Sequence, residues 1–307
     1  MTHGTTAAIT GASGYVGSVI RSALRNQGWR SIALIRRPSS EDPDSLPFDL
    51  DRPFDPALLA GVDTLVHCAY DFELTSRSAI WRTNVRGTEQ VLDAAQTAGV
   101  RRLVLVSTIA AFQGTEQIYG RAKLAMEEEA AARGAVIVRP GLVYGPSPGG
   151  MVGSLSRAMS LPVVPVPAGR SHVFTVHEDD LAQAVVRLTT MNAPPIAPLV
   201  VAHPRPVKVE ALLRAIALAQ GRSPRFLPVP WRPAFWLLKL AEKGPIKLPF
   251  RADSLWGLAH PPPRPDATVG EILGLTPRPF PECAQVGPDR KGSLFVFRRR
   301  GHTDSPG

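Results

Sequence analysis

The chain has 307 residues, 44% hydrophobic and 20% charged, with a formal net charge of +9. That length supports a sizeable core in one or two domains, and no apolar run reaches the ~18–20 residues of a membrane-spanning helix. The basic balance suits an anionic small-molecule ligand; with no aromatic–basic interleaving and no nucleic-acid motif, it does not indicate nucleic acid. Cys68 and Cys283 stand far apart and fit neither a disulfide framework nor a metal site, so no metal is expected. The first strand begins by about residue 6, which leaves no room for a signal peptide, and the chain reads as cytoplasmic.

Ala7-Ala8-Ile9-Thr10 is a short apolar run ending in Gly11-Ala12-Ser13-Gly14-Tyr15-Val16-Gly17. An amphipathic run from Tyr15 to Asn26 follows at once. The order strand, glycine turn, helix sets an anion against a helix N-terminus. Glycine lets the backbone approach, and the orphan N–H groups of the first turn point at the ligand. The stretch reads as a dinucleotide phosphate cradle, with a ligand-free glycine turn as the plain alternative.

Ser31–Ile35 is the second strand, ending in Arg36-Arg37-Pro38, and a Pro- and Asp-rich stretch then reaches Phe48-Asp49-Leu50-Asp51. Thr64–Ala69 is a third buried strand. From Ser78 to Ala98 the apolar residues Ile80, Val85, Val91, Leu92 and Ala95 return at helical spacing, and Gly99 is the stop. Arg102–Ser107 is the fourth strand, Tyr119–Arg133 a helix closed by Gly134, and Ala135–Arg139 the next strand. Near-continuous apolar strands alternating with helices make a parallel, doubly wound sheet, an α/β Rossmann fold. Such sheets bind ligands at the C-terminal strand ends, where Gly11, Arg36, His67 and Ser107 should converge.

Beyond Pro140 the texture changes to a loop at Pro146–Gly150 and a proline-rich stretch at Leu161–Gly169. Val173–Val176 and Leu199–Val201 read as strands around a helix Leu181–Met191, which Asp179 or Asp180 is placed to cap. Val209–Gln220, Phe235–Glu242, Ala252–Leu258 and Thr268–Leu273 read as helices. Residues 1–150, completed by about 173–203, are therefore the Rossmann domain. Residues 151–172 and 204–284 form a smaller, mainly helical substrate lobe over the strand ends. Residues 285–307, with Arg290, Lys291 and Arg298-Arg299-Arg300, form a basic, loosely held tail, or alternatively a short added strand. Phe226, Trp231, Phe235, Trp236, Phe250 and Trp256 of the lobe form its own core or line an apolar pocket; Trp231–Leu240 could instead dock on a membrane or partner.

Tyr119 and Lys123 lie one turn apart and face the same way on their helix. An ammonium near a phenol favours phenolate, and a phenol tuned so can pass a proton to or from a substrate oxygen. Ser107-Thr108 stands at the end of the fourth strand, eleven residues before Tyr119, where a hydroxyl can donate to the same oxygen.

Taken together, these stretches resemble the extended short-chain dehydrogenase/reductase superfamily, in its NAD-dependent epimerase/dehydratase family. Thr10–Gly17 is similar to its glycine signature, Asp49-Leu50 to its adenine-contacting pair and Val66–Ala69 to its strand end beside the ribose. Asn84–Thr88, Ser107-Thr108 with Tyr119 and Lys123, Arg139–Pro146 and Phe174–Ala182 resemble its later motifs. The resemblance implies Tyr119 as general acid/base, Lys123 as pKa modulator and ribose anchor, and Thr108 as the polarising hydroxyl with Ser107 in reserve. Asn84 would hold local structure. The implied cofactor contacts are Gly11, Ser13, Gly14, Tyr15, Val16, Gly17, Arg36, Arg37, Asp49, Leu50, Cys68, Ala69, Tyr119, Lys123, Pro140 and Val143.

An acid at the end of the second strand would bind the ribose 2′-hydroxyl of NAD. This chain has Arg36-Arg37 there and no acid until Glu41, which points to NADP(H) over NAD(H). Leu142 replaces the Asn that nucleotide-sugar enzymes of the superfamily often carry, and resembles the reductases instead. The expected activity is interconversion of a ketone or aldehyde and an alcohol on a small, fairly apolar substrate. The alternatives are a sugar-nucleotide epimerase/dehydratase and a noncatalytic NADP-binding sensor or assembly protein. The resemblance also implies a homodimer paired through helices near Asn84 and Tyr119.

Overall fold

In the computed structural model, residues 5–146, 149–167, 171–242, 251–266 and 268–281 are described. Cys283, Phe250 and the basic tail at 285–307 lie outside them.

The strands are β1 (Thr6–Thr10), β2 (Arg30–Ile35), β3 (Ser45–Pro47), β4 (Thr64–His67), β5 (Arg102–Val106), β6 (Val136–Pro140), β7 (Leu142–Tyr144), β8 (Val163–Pro167), β9 (His172–Val173), β10 (Thr175–His177), β11 (Leu199–Val201), β12 (Val207–Lys208) and β13 (Arg225–Val229). A seven-stranded sheet runs in the order β11-β6-β5-β4-β1-β2-β3, and all its pairings are parallel. The order reverses beside β1, the switch point at which doubly wound sheets open a crevice.

The helices are α1 (Tyr15–Asn26), α2 (Arg77–Ile80), α3 (Arg86–Thr97), α4 (Ile118–Ala132), α5 (Gly150–Ala158), α6 (Glu178–Thr190), α7 (Val209–Ala219), α8 (Trp231–Ala241), α9 (Ala252–Ala259) and α10 (Thr268–Leu273). One sheet face packs α1 and α6 through Ile20, Leu24, Leu181 and Leu188. The other packs α3 and α4 through Val91, Leu92 and Met126. Strands with apolar residues on both faces need this double cover, which accounts for their unbroken hydrophobic runs. A further cluster, with Val152, Leu155, Val164, Leu212, Ile216 and Leu258, forms the smaller lobe's core from α5, α7, α9 and β8.

Three local expectations change. The helical run Ser78–Ala98 is interrupted by a π turn at Trp81–Val85 between α2 and α3. The cap of α6 is the His177 side chain, which accepts from the Asp179 N–H; Asp180 instead accepts from Arg278. Finally, α10, grouped above with the lobe, packs on the Rossmann core, where Val269, Leu273 and Leu275 join the cluster of α1 and α6. Arg187 on α6 donates to the Leu273 carbonyl and fixes that return.

Candidate functional site

The crevice begins where β1 ends. Gly11 has φ +66°, and a Cβ there would lie 2.9 Å from the backbone of Ala69 at the end of β4. A Cβ on Gly17 would lie 2.4 Å from the Gly11 carbonyl, so the side-chain-free third glycine lets α1 close on the strand. Gly14 is the N-cap of α1; no side chain caps it and no acid occupies its first turn. Its leading N–H groups and the positive end of the helix dipole are thus left to an anion. Ser13 and Gly14 are exposed, while Tyr15 and Val16 are half-buried beside them. The Tyr15 hydroxyl donates to Glu178 Oε2 at 2.5 Å, and burial raises its pKa, so this phenol ties α1 to α6 in its protonated form.

Behind the cradle lies a closed polar chain. Thr10 Oγ1 accepts from the Cys68 and Ala69 N–H groups and therefore donates to His67 Nδ1 at 2.7 Å. His67 Nε2 then carries the proton and donates to Thr88 Oγ1 at 2.9 Å, and Thr88 donates to the Asn84 carbonyl. Burial holds the imidazole neutral, down to about 3. Asn84 Oδ1 accepts from the Asp71 N–H at 2.6 Å and its Nδ2 donates back to the Asp71 carbonyl, which pins the loop after β4 from the π turn.

The two adjacent hydroxyls after β5 have different partners. Ser107 is buried and donates to Glu127 Oε1 at 2.5 Å, and Glu127 also pairs with Arg139. The Thr108 hydroxyl accepts the Ala110 N–H at 3.2 Å and faces the Tyr119 phenol. Gly120 lets α4 close on the loop after β5, since a Cβ there would sit 2.4 Å from the Ala110 carbonyl. Burial pushes the Tyr119 phenol up to about 12, with the Thr108 hydrogen bond opposing the shift.

Lys123, the expected modulator of Tyr119, is held by β5 and Tyr70. Its Nζ donates to the Val106 carbonyl at 2.9 Å and lies 5.1 Å from the ring centre of Tyr70. It is buried, and desolvation lowers it to about 8. An ammonium has three donors, and one protein carbonyl takes only one of them. That incomplete set, the uncapped helix and the glycine cradle fit a dinucleotide whose ribose hydroxyls face Lys123.

Sequence reasoning did not identify five residues around this group. Tyr70, in the loop after β4, meets Tyr119 edge to face at 5.1 Å, and Phe72 lies 5.6 Å from the same ring. From α9, Asp253 accepts the Ile118 and Tyr119 N–H groups at 2.9 and 3.2 Å and caps α4 from the other lobe. Arg251 donates to the Phe72 and Leu74 carbonyls at 2.6 and 2.9 Å. Arg251 and Asp253 lie well over 100 positions from their partners, so no spacing signals them. Glu127, four residues after Lys123 on the same helix, was the readable one.

The remaining candidates line the strand ends. Arg36 has a side chain 70% exposed and lies 3.7 Å from Asp71; Arg37 is also exposed. Asp49 is half-buried and accepts the Asp51 N–H, while Leu50 and Ala69 are buried. The Cys68 thiol is pushed up by burial to about 12, so it is inert as a nucleophile. Pro140 accepts from Ile109, and Val143 is half-buried on β7. Leu142 packs on the lobe core. Of the lobe aromatics, Trp256 stacks on His260, Phe226 packs on the lobe core and Trp236 is exposed. A separate cleft of about 1110 Å³ includes Val166, Lys208, Arg214, Arg225 and Phe226 in its lining. Among the described residues no group of His, Cys, Asp and Glu could hold a metal ion, and no helix is long and apolar enough to cross a membrane.

Comparison with known proteins adds to this geometry. Residues 7–198 match the model of the NAD dependent epimerase/dehydratase family. A ceramide reductase of Caulobacter vibrioides is 30% identical over 237 residues, 73% of this chain and 73% of that protein. A UDP-glucose 4-epimerase of Streptomyces lividans is 30% identical over 208 residues, 56% of this chain and 63% of that protein. The solved structure of MoeE5 in complex with UDP-glucose and NAD shares the fold, with a TM-score of 0.69 at 22% identity, covering 90% of this chain and 94% of that one.

Proposed function

The chain belongs to the NAD-dependent epimerase/dehydratase family as an NAD(P)-dependent oxidoreductase/epimerase of the extended short-chain dehydrogenase/reductase type, and from that premise we propose that it interconverts a ketone or aldehyde and an alcohol on a fairly apolar substrate, with NADP(H). The observation that carries this reading is the Tyr119 phenol set against the aromatic rings of Tyr70 and Phe72, with Lys123 one turn along α4 and the Thr108 hydroxyl beside it. The bound nicotinamide supplies or accepts the hydride at the carbonyl carbon. Tyr119 holds the proton that the carbonyl oxygen takes on reduction. The Thr108 hydroxyl would donate to the same carbonyl oxygen and stabilise the negative charge that builds on it. Lys123 stabilises the negative charge and holds ribose hydroxyls. The aromatic surroundings exclude water and favour an apolar group on the substrate. Leu142 supports the reductase over the nucleotide-sugar reading, because an aliphatic side chain packed on the lobe core offers no diphosphate contact. The likeness to the ceramide reductase supports the same choice.

Arg36 and Arg37 support NADP(H), since both are exposed at the end of β2 where a 2′-phosphate would meet a guanidinium fork. A cleft with Lys208 and Arg225 in its lining, where Arg214 is paired with Glu210, offers cations for an anionic group and favours the second reading, a sugar-nucleotide epimerase. Purified protein separates the two. A reductase consumes NADPH against a carbonyl panel graded by chain length. Tyr119→Phe retains NADPH binding and loses about 10²–10⁴-fold in turnover, while Arg36→Ala weakens NADPH and leaves NADH unchanged. Tightly held cofactor with no net turnover, together with interconversion of UDP-sugars, would overturn the proposal.

A further inference from the structure

An amphipathic helix ordinarily turns its apolar stripe to the core. In α8 the stripe faces solvent: Trp236, Leu237 and Leu240 are 71%, 69% and 67% exposed, and none of the eleven residues is buried. At about 100° per residue, Pro233, Trp236, Leu237 and Leu240 share one face, and Arg232 and Lys239 line one edge of it. The opposite side, with Trp231 and Phe235 half-buried, carries the helix's packing on α9.

A tryptophan and leucines flanked by cations is the chemistry of a bilayer interface, where the ring sits at headgroup depth and the cations meet anionic lipid. The chain's net charge of +9 complements such a surface. A second copy would bring the same charge and the same cationic edge. The segment after the helix is also tied to the one that holds Tyr119. Glu242, just after α8, accepts the Ala252 N–H at 2.7 Å, and the next residue, Asp253, caps α4 at Tyr119. We propose that α8 docks this chain on an anionic lipid bilayer, beside the entrance to Tyr119, so that the carbonyl substrate is a membrane-borne lipid. The lipid identity of the substrate rests on the reductase reading above; the docking does not.

Flotation of the full chain with vesicles tests it. The chain floats with equimolar phosphatidylcholine and phosphatidylglycerol and far less with phosphatidylcholine alone. Trp236→Gln with Leu240→Gln lowers partitioning on the order of tenfold or more. Because both side chains point to solvent, that double variant keeps the Tyr119-dependent turnover of a short, water-soluble carbonyl compound. Absence of flotation with either vesicle, or a double variant that floats like the parent, overturns the docking. So does a double variant whose solution mass falls by half, which would assign the stripe to a second copy. Flotation without any NADPH-dependent turnover would overturn the function and leave the docking standing.

Discussion

Two polar groups lie at the ends of the same strands and differ in how completely their hydrogen bonds are closed. In Thr10, His67, Thr88 and Asn84, and again in Ser107, Glu127 and Arg139, donors meet acceptors within the protein. In Thr108, Tyr119 and Lys123, a buried ammonium makes one hydrogen bond and a phenol is raised by burial. A satisfied buried network stabilises the fold, whereas an unfilled buried donor costs about 1–3 kcal/mol until something binds it. The first kind holds strands and helices in place; under the proposed function, the bound cofactor would complete the second.

Substitution can break this contrast, and the largest effect is expected at Glu127. Glu127→Ala leaves Arg139 and Ser107 facing each other without their acceptor, and losing one partner of a buried pair costs about 3–5 kcal/mol. Denaturant unfolding should show that drop; an unchanged midpoint would put the Ser107–Glu127–Arg139 group on the functional side.

Lys123→Met should separate stability from activity. Turnover falls about 10²-fold or more, while the melting temperature at neutral pH holds or rises, since a buried ammonium with one hydrogen bond is removed. The sign follows from the lowered pKa. Between about 8 and the unperturbed 10.5 the unfolded chain binds the extra proton, so the parent gains stability as pH rises through that window. The methionine variant lacks that gain, and melting curves across the window would show it.

The smallest and most local contrast is between neighbours. Thr108→Ala should lower turnover about tenfold or more by removing the donor to the carbonyl oxygen, and should leave stability within about 0.5 kcal/mol. Ser107→Ala should do the reverse, costing about 1–2 kcal/mol through the lost bond to Glu127 with little change in turnover. Equal effects of the two on turnover would dissolve the distinction between the adjacent hydroxyls.

Local chemistry made much of this legible in the sequence. Unbroken apolar strands demanded a doubly covered parallel sheet, and Gly11–Gly17 announced the turn at its first strand because only glycine tolerates that crowding. Tyr119 and Lys123 share a helix face by periodicity alone. Other assignments depended on chain segments remote in sequence. The proposal that Thr108 rather than Ser107 serves Tyr119 rests on Glu127, which takes the Ser107 hydroxyl. The cap of α4 comes from Asp253, and the return of α10 to the Rossmann core rests on packing that no local pattern encodes. The direction of Lys123 also follows from tertiary structure, because the Val106 carbonyl comes from β5 and the Tyr70 ring from the loop after β4, both preceding its helix. Periodicity and turn chemistry act between neighbours and can be read in order; burial and hydrogen-bond competition act between distant segments, and only the folded chain decides them.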